Sequence, residues 1–385
     1  MGRCIRIGVL GHWGGNIGHE VMALGVERIL KEAFGGNAEL LPIEQHRPLD
    51  IYPKWHPLRY AFPLNHGRGG SAMRPIKRLI NRRDISTLLW QLSWVGTLDL
   101  GIACGGPLIT PHLSRGDLGL MHHHMFGAFA SKGLPLLNLS VGSCYPWENL
   151  PEALTDQANI DFLKRVFEYS SVTTVRDKLA QRLCAGIGEQ CELVLDTGLV
   201  AGKGFSRLAD SCAEQRYIVI NYQKYGANED WGQNVNPEAW RNTVRNLIDR
   251  MRGRYHIAFI CHNEHEVKLA EKMDTTIPRY HPKTMQEYAQ VISGAIAGIS
   301  NRLHAAIALA SIGVPVVVVG TDTRLGAIQA TGLPCFYVKE ANAELLEDTL
   351  EHQIKNRKLE YERLMALREE TLKRYVEIVR NAITH

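Results

Sequence analysis

The sequence lacks the features that mark membrane-spanning, disulfide-rich and nucleic-acid-binding proteins. It has no run of about 18 apolar residues, so no segment is a candidate transmembrane helix. Its eight cysteines include no Cys-x-x-Cys pair and no zinc-ligand spacing, which favours reduced cytosolic thiols over a disulfide framework. The net charge of +4 is small and no nucleic-acid-binding motif is present, so nucleic acid is not an expected partner. The first apolar run, Ile5–Leu10, is too short for a signal peptide, and a cytoplasmic location is expected.

What the chain does have is the size and composition of a soluble two-domain protein. Its 385 residues are 45% hydrophobic and 22% charged, and no low-complexity tract interrupts them. A chain of this length exceeds one ordinary core and fits two domains of about 150 to 200 residues each. We therefore expect two hydrophobic cores.

Short apolar runs alternate with helical patterns in two blocks, which is typical of doubly wound α/β domains. Residues 1–200 form the first block, with helical patterns over Glu20–Ala33 and Ile160–Tyr169. Its predicted strands are Ile5–Leu10, Glu39–Ile43, Leu98–Ala103, Leu136–Val141, Ser171–Val175 and Glu192–Leu195. The predicted strands of the second block, residues 216–340, are Tyr217–Ile220, His256–Ile260, Ala295–Ile299, Val314–Val319 and Cys335–Val338. The pattern predicts two Rossmann-like domains that face one cleft.

Three segments depart from this alternation. Residues 201–215 show no clear periodicity and contain Gly, Ser and Asp, so they are predicted to be the linker between the domains. Residues 341–385 carry apolar residues at helical spacing and are predicted to fold back across the domains as helices. An insertion rich in aromatic, proline and basic residues, at about 46–95, interrupts the first block.

The most informative local pattern is the turn around Arg302 and His304. It follows the predicted strand Ala295–Ile299 and opens an Ala-rich helix that ends near Gly313. Open α/β sheets bind ligands beyond the carboxyl ends of their strands, where a helix N-terminus adds free N–H groups for an anion. A guanidinium and an imidazole at this turn predict an anion site. The alternative, from these residues alone, is that Arg302 pairs with a carboxylate and His304 caps the turn.

Several short motifs occur in register with the strand–helix alternation. They are Gly11–Glu20 (GHWGGNIGHE), Gly105–Leu108, Ser140–Gly142, Val175–Asp177, Leu195–Asp196, and Arg302–His304 followed by the Gly-Val-Pro strand from Gly313. With these motifs in this order, nearly the whole chain resembles the polysaccharide pyruvyl transferases. The resemblance implies two Rossmann-like domains in a GT-B-like arrangement, with a cleft between them and a C-terminal helical tail. It places the acceptor side in the first domain and the donor side in the second.

The resemblance implies transfer of a carboxyvinyl group from phosphoenolpyruvate to two hydroxyls of a sugar in a bacterial-type surface polysaccharide or its precursor, giving a pyruvate ketal and free phosphate. Arg302 and Arg176 match arginines of the family's active site, and guanidinium groups hold a phosphate and a carboxylate with fixed geometry. His304 is the expected general acid. Leu303 is expected on the donor side, and Arg324 is either a phosphate contact or a solvated loop cation. No cofactor and no metal is expected, since arginines can neutralise the departing phosphate.

Two glycine-containing loops are expected to line the cleft. Gly14, Gly15 and Asn16 belong to the first loop, and Gly105 and Gly106 to the second. Glycine would let the backbone approach a ligand, and Asn16 would hydrogen-bond the acceptor or the donor. Alternatively, the glycines only make the strand-to-helix turns possible.

Two positions depart from the family's pattern. His19 stands where the family usually has an acidic residue, and Pro107, which has no backbone N–H, stands where a third glycine is usual. These departures motivate the hypothesis of a non-catalytic anion- or sugar-binding relative, against which the retention of Arg176, Arg302 and His304 counts. A GT-B nucleotide-sugar glycosyltransferase is the second alternative, and it would need a nucleotide site that the sequence does not reveal.

Other features have two interpretations each. Asp196 matches a family aspartate but is equally a helix N-cap. His262 and His265, with Glu264 and Glu266, either line the cleft or cap the surface. The adjacent His122–His124 point in different directions along a helix and do not predict a metal site. The 46–95 insertion is either an acceptor-recognition segment, with cations that meet a pyrophosphate lipid or the inner membrane face, or a basic surface loop. A lipid-linked, nucleotide-linked or polymeric acceptor and any oligomeric state fit the sequence, and membrane contact would be peripheral.

Overall fold

The computed structural model describes residues 4–11, 17–44, 94–111, 113, 125–208, 217–227 and 229–384. Gly14, Gly15 and Asn16, the His122–His124 run and nearly all of the 46–95 insertion lie outside these residues. The roles predicted for them stay predictions.

In the described part of the chain, seven strands form the sheet of the first domain. They are β1 (Ile5–Gly11), β2 (Ala38–Glu44), β3 (Leu100–Ala103), β4 (Gly106–Ile109), β5 (Leu136–Ser143), β6 (Val172–Val175) and β7 (Glu192–Leu193). They pair in parallel in the order β2-β1-β3-β5-β6-β7, and β4 pairs with the end of β5 that lies beyond β3. Every residue of β5 is buried, as in a central strand of a parallel sheet that helices cover on both faces.

The second domain has a separate parallel sheet. Its strands are β8 (Tyr217–Asn221), β9 (His256–Ile260), β10 (Arg279–Tyr280), β11 (Ala295–Ser300), β12 (Val316–Gly320) and β13 (Cys335–Tyr337). Their order is β10-β9-β8-β11-β12-β13, so the chain winds outward from β8 in both directions. The two sheets confirm the predicted α/β fold class with two Rossmann-like domains.

The helices connect these strands and form the tail. They are α1 (Ile17–Phe34), α2 (Gln157–Glu168), α3 (Lys178–Gly186), α4 (Gly202–Leu208), α5 (Pro237–Met251), α6 (Glu264–Met273), α7 (Met285–Ser293), α8 (Leu303–Ser311), α9 (Leu325–Ala330), α10 (Ala343–Lys355) and α11 (Arg357–Thr384). Residues 125–131 are also helical, and Thr197–Ala201 form a 3₁₀ helix. Although α11 has 28 residues, no helix among those described is apolar enough over a sufficient length to cross a membrane.

The C-terminal tail packs back on both domains, as predicted. Helix α10 lies against α5 of the second domain, and α11 lies against α1 of the first. Leu372, Tyr375 and Val379 of α11 are buried in one core with Met22 and Val26 of α1. Full burial of such a side chain stabilises the folded state by about 1.5 to 3 kcal/mol, so α11 holds the first domain together as well as ending the chain.

Part of the segment predicted as the linker is helical. Helix α4 occupies Gly202–Leu208 and follows directly on the 3₁₀ helix. A Cβ atom on Gly202 would overlap the carbonyl oxygen of Ser311 at the end of α8. The glycine that indicated a flexible linker in the sequence instead permits two backbones to pack in contact.

A loop of the first domain touches the second domain at the edge where both sheets end. The Thr323 hydroxyl oxygen, beyond β12, accepts hydrogen bonds from the Ser143 hydroxyl at 2.8 Å and from the backbone N–H of Tyr145 at 3.0 Å. The Thr323 backbone N–H donates in turn to the Tyr145 carbonyl at 2.9 Å. These bonds hold the carboxyl ends of β5 and β12 together, so ligand-binding edges of both sheets face one place.

Candidate active site

Arg176, Asp196 and His304 meet where the two domains touch, and we call them the Arg176 cluster. Arg176 follows β6, Asp196 precedes the 3₁₀ helix, and His304 lies in the first turn of α8. The Arg176 Nη1 atom is 2.6 Å from Asp196 Oδ2 and 3.3 Å from His304 Nε2, and His304 Nε2 is 3.4 Å from the same carboxylate oxygen. The fold therefore brings the predicted acid and one predicted anion-binding arginine into direct contact.

Arg176 keeps one edge of its guanidinium unpaired although it is buried. The residue is 1% exposed, and neither Nε nor Nη2 has a hydrogen-bond partner in the described part of the chain. These two nitrogens form the edge that binds a carboxylate or phosphate with two parallel hydrogen bonds. A buried donor without an acceptor is costly, so this edge is the clearest mark of an anion site in the described residues.

Gly142 gives the Arg176 guanidinium its space. A Cβ atom at position 142 would lie 2.5 Å from Arg176 Nε, closer than real Cβ contacts come. The pairing of Val141 with Val175 sets these neighbours side by side, after an irregularity of β5 at which the buried Ser140 has φ of +60°. A non-glycine residue in this region costs on the order of 1 kcal/mol and occurs most often at functional sites.

Charge and burial set the ionisation of the cluster. Burial opposes the ionisation of Asp196, but the charges of Arg176 and His304 and the N–H of Gly198 outweigh it and hold the carboxyl pKa well below its usual range. For His304, burial lowers the pKa, Asp196 raises it, and the charges of Arg176 and Arg324 lower it again. The net pKa of His304 is lowered, so a neutral imidazole faces an ionised carboxylate near neutral pH.

Arg302 does pair with a carboxylate, that of the buried Glu266. Its Nε donates to Glu266 Oε1 at 2.6 Å, and Nη2 lies 2.5 Å from the same oxygen. Its backbone N–H donates to Asn221 Oδ1 at 3.1 Å. Arg302 is the residue before α8, and its side chain does not cap that helix. Backbone and side chain of Arg302 are thus both held at the carboxyl ends of β8, β9 and β11.

Arg324 is held in the same way by Asp322. The pair is bidentate, with Nε 2.8 Å from Oδ1 and Nη2 2.5 Å from Oδ2. Burial, which opposes the charge of Arg324, is outweighed by Asp322, so the pKa of the guanidinium is raised. Leu303 is buried and lines a cavity of about 20 Å³ with Arg324. A contact from Leu303 to a ligand would therefore come from its backbone N–H at the start of α8.

The family model "Polysaccharide pyruvyl transferase" matches residues 16–323, which is most of the chain. The chain belongs to the polysaccharide pyruvyl transferase family. A search of curated proteins found no significant match to its sequence.

Solved structures share the fold of this pyruvyl transferase family member at low sequence identity. A UDP-GlcNAc 2-epimerase from Neisseria meningitidis bound to UDP-GlcNAc is 11% identical with a TM-score of 0.57, over 98% of this chain and 99% of the epimerase. The S. aureus MnaA–UDP structure is 12% identical with a TM-score of 0.54, over 94% and 91% of the two chains. UDP-GlcNAc 2-epimerase from Methanocaldococcus jannaschii is 10% identical with a TM-score of 0.53, over 90% and 92%. These similarities confirm the GT-B-like fold.

In this family member, the Gly105 and Gly106 loop follows β3. Gly105 has φ of +83°, and a Cβ atom there would lie 2.6 Å from the carbonyl oxygens of Leu139 and Ser140. Gly106 has φ of +129°, which side chains avoid, yet a Cβ atom there would meet nothing within 4 Å. Gly105 therefore serves packing against β5, whereas the buried Gly106 has no described atom where a side chain would start. Pro107 lies within β4 beside Gly142.

The structure locates His19, which departs from the family pattern, and Asp196, for which the sequence left two interpretations open. His19 in the first turn of α1 lies with its ring centroid 6.5 Å from that of His304, at an angle of 69°. Asp196 fulfils both of its interpretations, because Oδ1 accepts the Gly198 N–H at 2.8 Å while Oδ2 pairs with Arg176. The family's usual acidic position therefore borders the candidate acid.

Sequence reasoning missed the carboxylates that hold Arg302 and Arg324. Glu266 reads in the sequence as the third residue of a helix capped by Asn263, whose side chain indeed accepts the Glu266 N–H at 2.9 Å. Its own carboxylate lies 3.5 Å from Asn263 Nδ2 and pairs with Arg302 at 2.6 Å. Asp322, two residues before Arg324, was the one available signal for the second pair.

Proposed function

We propose that this protein transfers a carboxyvinyl group from phosphoenolpyruvate to two hydroxyls of a sugar, forming a pyruvate ketal and releasing phosphate. The observation that carries the proposal is the buried, unpaired Nε/Nη2 edge of Arg176 beside His304. This edge suits a bidentate anion contact, and the imidazole suits proton transfer. Membership of the family supports the transferase class.

Three arginines at the domain boundary are oriented before any donor binds. Each has a buried carboxylate partner that fixes its guanidinium and offsets its charge. The pairs are Arg176–Asp196, Arg302–Glu266 and Arg324–Asp322. Phosphoenolpyruvate carries a phosphate and a carboxylate a few bonds apart, and groups already in place bind such anions with little reorganisation. We assign donor binding to Arg176 and Arg302, with Arg324 and the Leu303 N–H as further contacts.

His304 is the general acid of the proposed reaction. In the free protein, burial and the nearby arginines keep its imidazole neutral. Bound phosphoenolpyruvate brings negative charge against these arginines, which raises the pKa of His304 and favours the protonated form. The substrate thus creates the acid that the reaction needs.

The chemistry balances without a further reactant. His304 gives a proton to the methylene carbon of phosphoenolpyruvate, and the adjacent carbon becomes oxocarbenium-like. One sugar hydroxyl adds to that carbon, and the bond between the same carbon and the phosphate oxygen breaks. A second sugar hydroxyl then adds to this carbon and closes the ketal. The two hydroxyl protons replace the proton that His304 gave and protonate the departing phosphate.

The acceptor is a sugar of a bacterial-type surface polysaccharide or its precursor, modified in the cytoplasm. A lipid-linked acceptor would bring the protein to the inner membrane face as a peripheral partner. Gly106, which begins β4 beside β5 with φ of +129°, is the acceptor-side backbone position that we assign to the cleft.

A competition experiment tests the donor. Calorimetric titration with phosphoenolpyruvate is compared with titration by inorganic phosphate, UDP-sugars and GDP-sugars. We expect saturable binding of phosphoenolpyruvate, and Arg176→Lys, which keeps the charge but loses the bidentate edge, should weaken it at least about tenfold. Arg363→Lys is the control, because Arg363 is also bonded to a carboxylate, that of Glu360, outside the site.

Other outcomes would contradict the proposal. Binding of a nucleotide-sugar with no binding of phosphoenolpyruvate would favour a GT-B glycosyltransferase. Binding of phosphoenolpyruvate without release of its phosphate in the presence of any sugar acceptor tested would favour a non-catalytic relative. Binding of both ligands calls for a turnover assay with both present, in which phosphate release and a mass increase of the sugar identify the nucleotide-sugar as the acceptor.

A further inference from the structure

Glu266 is the centre of a buried hydrogen-bond network at the ends of β8, β9 and β11. It is 2% exposed, and burial of the carboxylate is outweighed by the charge of Arg302, so its pKa is lowered. Besides Arg302, its oxygens accept from Asn221 Nδ2 at 3.0 Å, the His262 backbone N–H at 2.9 Å and Gln223 Nε2 at 3.2 Å. The carboxylate thus receives donors from every strand end around the Arg302 turn.

We propose that Glu266 is the positioning residue of the anion site, which acts by fixing the guanidinium of Arg302. Glu266 uses Nε and Nη2 of Arg302, and no described residue accepts a hydrogen bond from the remaining nitrogen, Nη1. Arg302 is 15% exposed at its side chain, so it stands at the boundary of the buried network. The Nη1 atom of Arg302 can therefore donate to a phosphate or carboxylate oxygen. The inference rests on the proposed function for the identity of that anion.

Asn221 links the backbone of Arg302 to the carboxylate that holds the Arg302 side chain. Its Nδ2 donates to Glu266, which holds the Arg302 side chain, and its Oδ1 accepts the Arg302 backbone N–H. A shift of the Glu266 carboxylate would therefore displace the backbone of the turn as well as the Arg302 guanidinium. Placement within a few tenths of an ångström is what a preorganised anion site requires.

A role in fold stability alone does not explain this pair, although the loss of one partner of a buried ion pair does destabilise a fold. Buried ion pairs contribute little net stability, because the desolvation of both charges offsets their attraction. What the pair does secure is one orientation of a long side chain that could otherwise adopt several. Orientation of Arg302 is therefore the effect that a change at Glu266 should alter most.

The test compares Glu266→Gln and Glu266→Asp with a matched control. Glutamine keeps the shape but turns an amide donor toward the donors of Asn221 or His262, and aspartate keeps the charge but withdraws from Arg302. The control is Glu347→Gln, since Glu347 of α10 is also a buried carboxylate and is bonded to two other arginines, Arg250 and Arg254. Circular dichroism and thermal unfolding show which variants fold.

A double-mutant cycle separates positioning from a general structural role. We expect Glu266→Gln and Glu266→Asp to weaken phosphoenolpyruvate binding at least about tenfold, while Glu347→Gln changes it less than about twofold. In an Arg302→Ala background, the change at Glu266 should add less than about twofold. The loss should appear in the KM for phosphoenolpyruvate, while the pH dependence of kcat, set by His304, stays unchanged.

Several results would overturn the inference. Unchanged anion affinity in either folded Glu266 variant would do so, as would an equally large loss in the Arg302→Ala background. If the wild type binds inorganic phosphate but not phosphoenolpyruvate, the proposed function fails and the same cycle is run with phosphate to decide the role of Glu266. If the wild type binds neither anion, both proposals fail.

Discussion

The Arg176 guanidinium lies 3.3 Å from the imidazole of His304, across the boundary between the two domains. Arg176 follows β6, the fifth strand in the order of the first sheet, and His304 lies in the first turn of α8 in the second domain, 128 positions later. A change in the angle between the domains would alter this contact directly. The proposed chemistry is therefore coupled to how closely the domains approach.

His304 and Arg302 should fail in different ways. His304→Ala removes the proton donor and should lower kcat by about 10²- to 10⁴-fold while phosphoenolpyruvate affinity changes little. Arg302→Ala removes an anion contact and should weaken phosphoenolpyruvate binding itself. Calorimetry and initial rates on both variants measure the two effects. An equal loss of binding in both would contradict separate roles of acid and anchor.

Gly142→Ala should displace Arg176 with little effect on folding. The added methyl group would lie 2.5 Å from Nε and 2.9 Å from Nη2, and the guanidinium, held by Asp196, has to move by several tenths of an ångström. We expect at least about a tenfold loss of phosphoenolpyruvate affinity, because the bidentate edge is the part displaced. Gly186→Ala is the control, since a Cβ atom there meets nothing within 4 Å. If Gly142→Ala bound phosphoenolpyruvate with the affinity of the wild type, Arg176 would not be a donor-binding residue.

The turn that carries Arg302 could be predicted because its signals are local. An apolar run of strand length followed by an Ala-rich stretch indicates β11 and α8 without any knowledge of the rest of the chain. The short strands β4 and β10 could not, because four residues with a glycine and a proline, or two residues alone, carry no period. Their pairing depends on the neighbouring strand rather than on their own sequence.

The contacts of the site depend on tertiary packing and were only partly predictable. A carboxylate partner for Arg302 was one of the two interpretations of its sequence, but nothing in the sequence selects Glu266 over other acidic residues. The role of Gly142 was also only partly predictable. A glycine in a strand signals close approach of something, and only the fold identifies that as the Arg176 guanidinium.

Anion binding should take up protons at His304. In the free protein its pKa is lowered by burial and by Arg176 and Arg324, which outweigh Asp196, and the His19 ring is a further neighbour. A bound dianion opposes the arginine charges and raises the pKa, so affinity should fall as pH rises from the lowered pKa of the free protein to the raised pKa of the complex. Titrations of inorganic phosphate in buffers with different ionisation enthalpies count the protons. Equal heats in all buffers, or uptake unchanged in His304→Ala, would contradict the coupling.

The buried His262 should make the fold sensitive to acid. Burial is the main cause that lowers its pKa to about 3, and the Tyr288 hydroxyl lies 3.3 Å from Nε2. In the unfolded chain the histidine pKa is about 6.5, so between these values the unfolded state binds the extra proton and stability falls as pH falls. From pH 6.5 to 5.0, this histidine should lower the free energy of unfolding by roughly 2 kcal/mol at most.

Urea unfolding at both pH values measures this loss of stability, and His262→Gln should lose that part of the pH dependence. His256→Gln, at the exposed first residue of β9, the strand that precedes His262, is the control and should keep it. An unchanged pH dependence in His262→Gln would show that His262 is not buried in the neutral form, because then another group must account for the loss in acid.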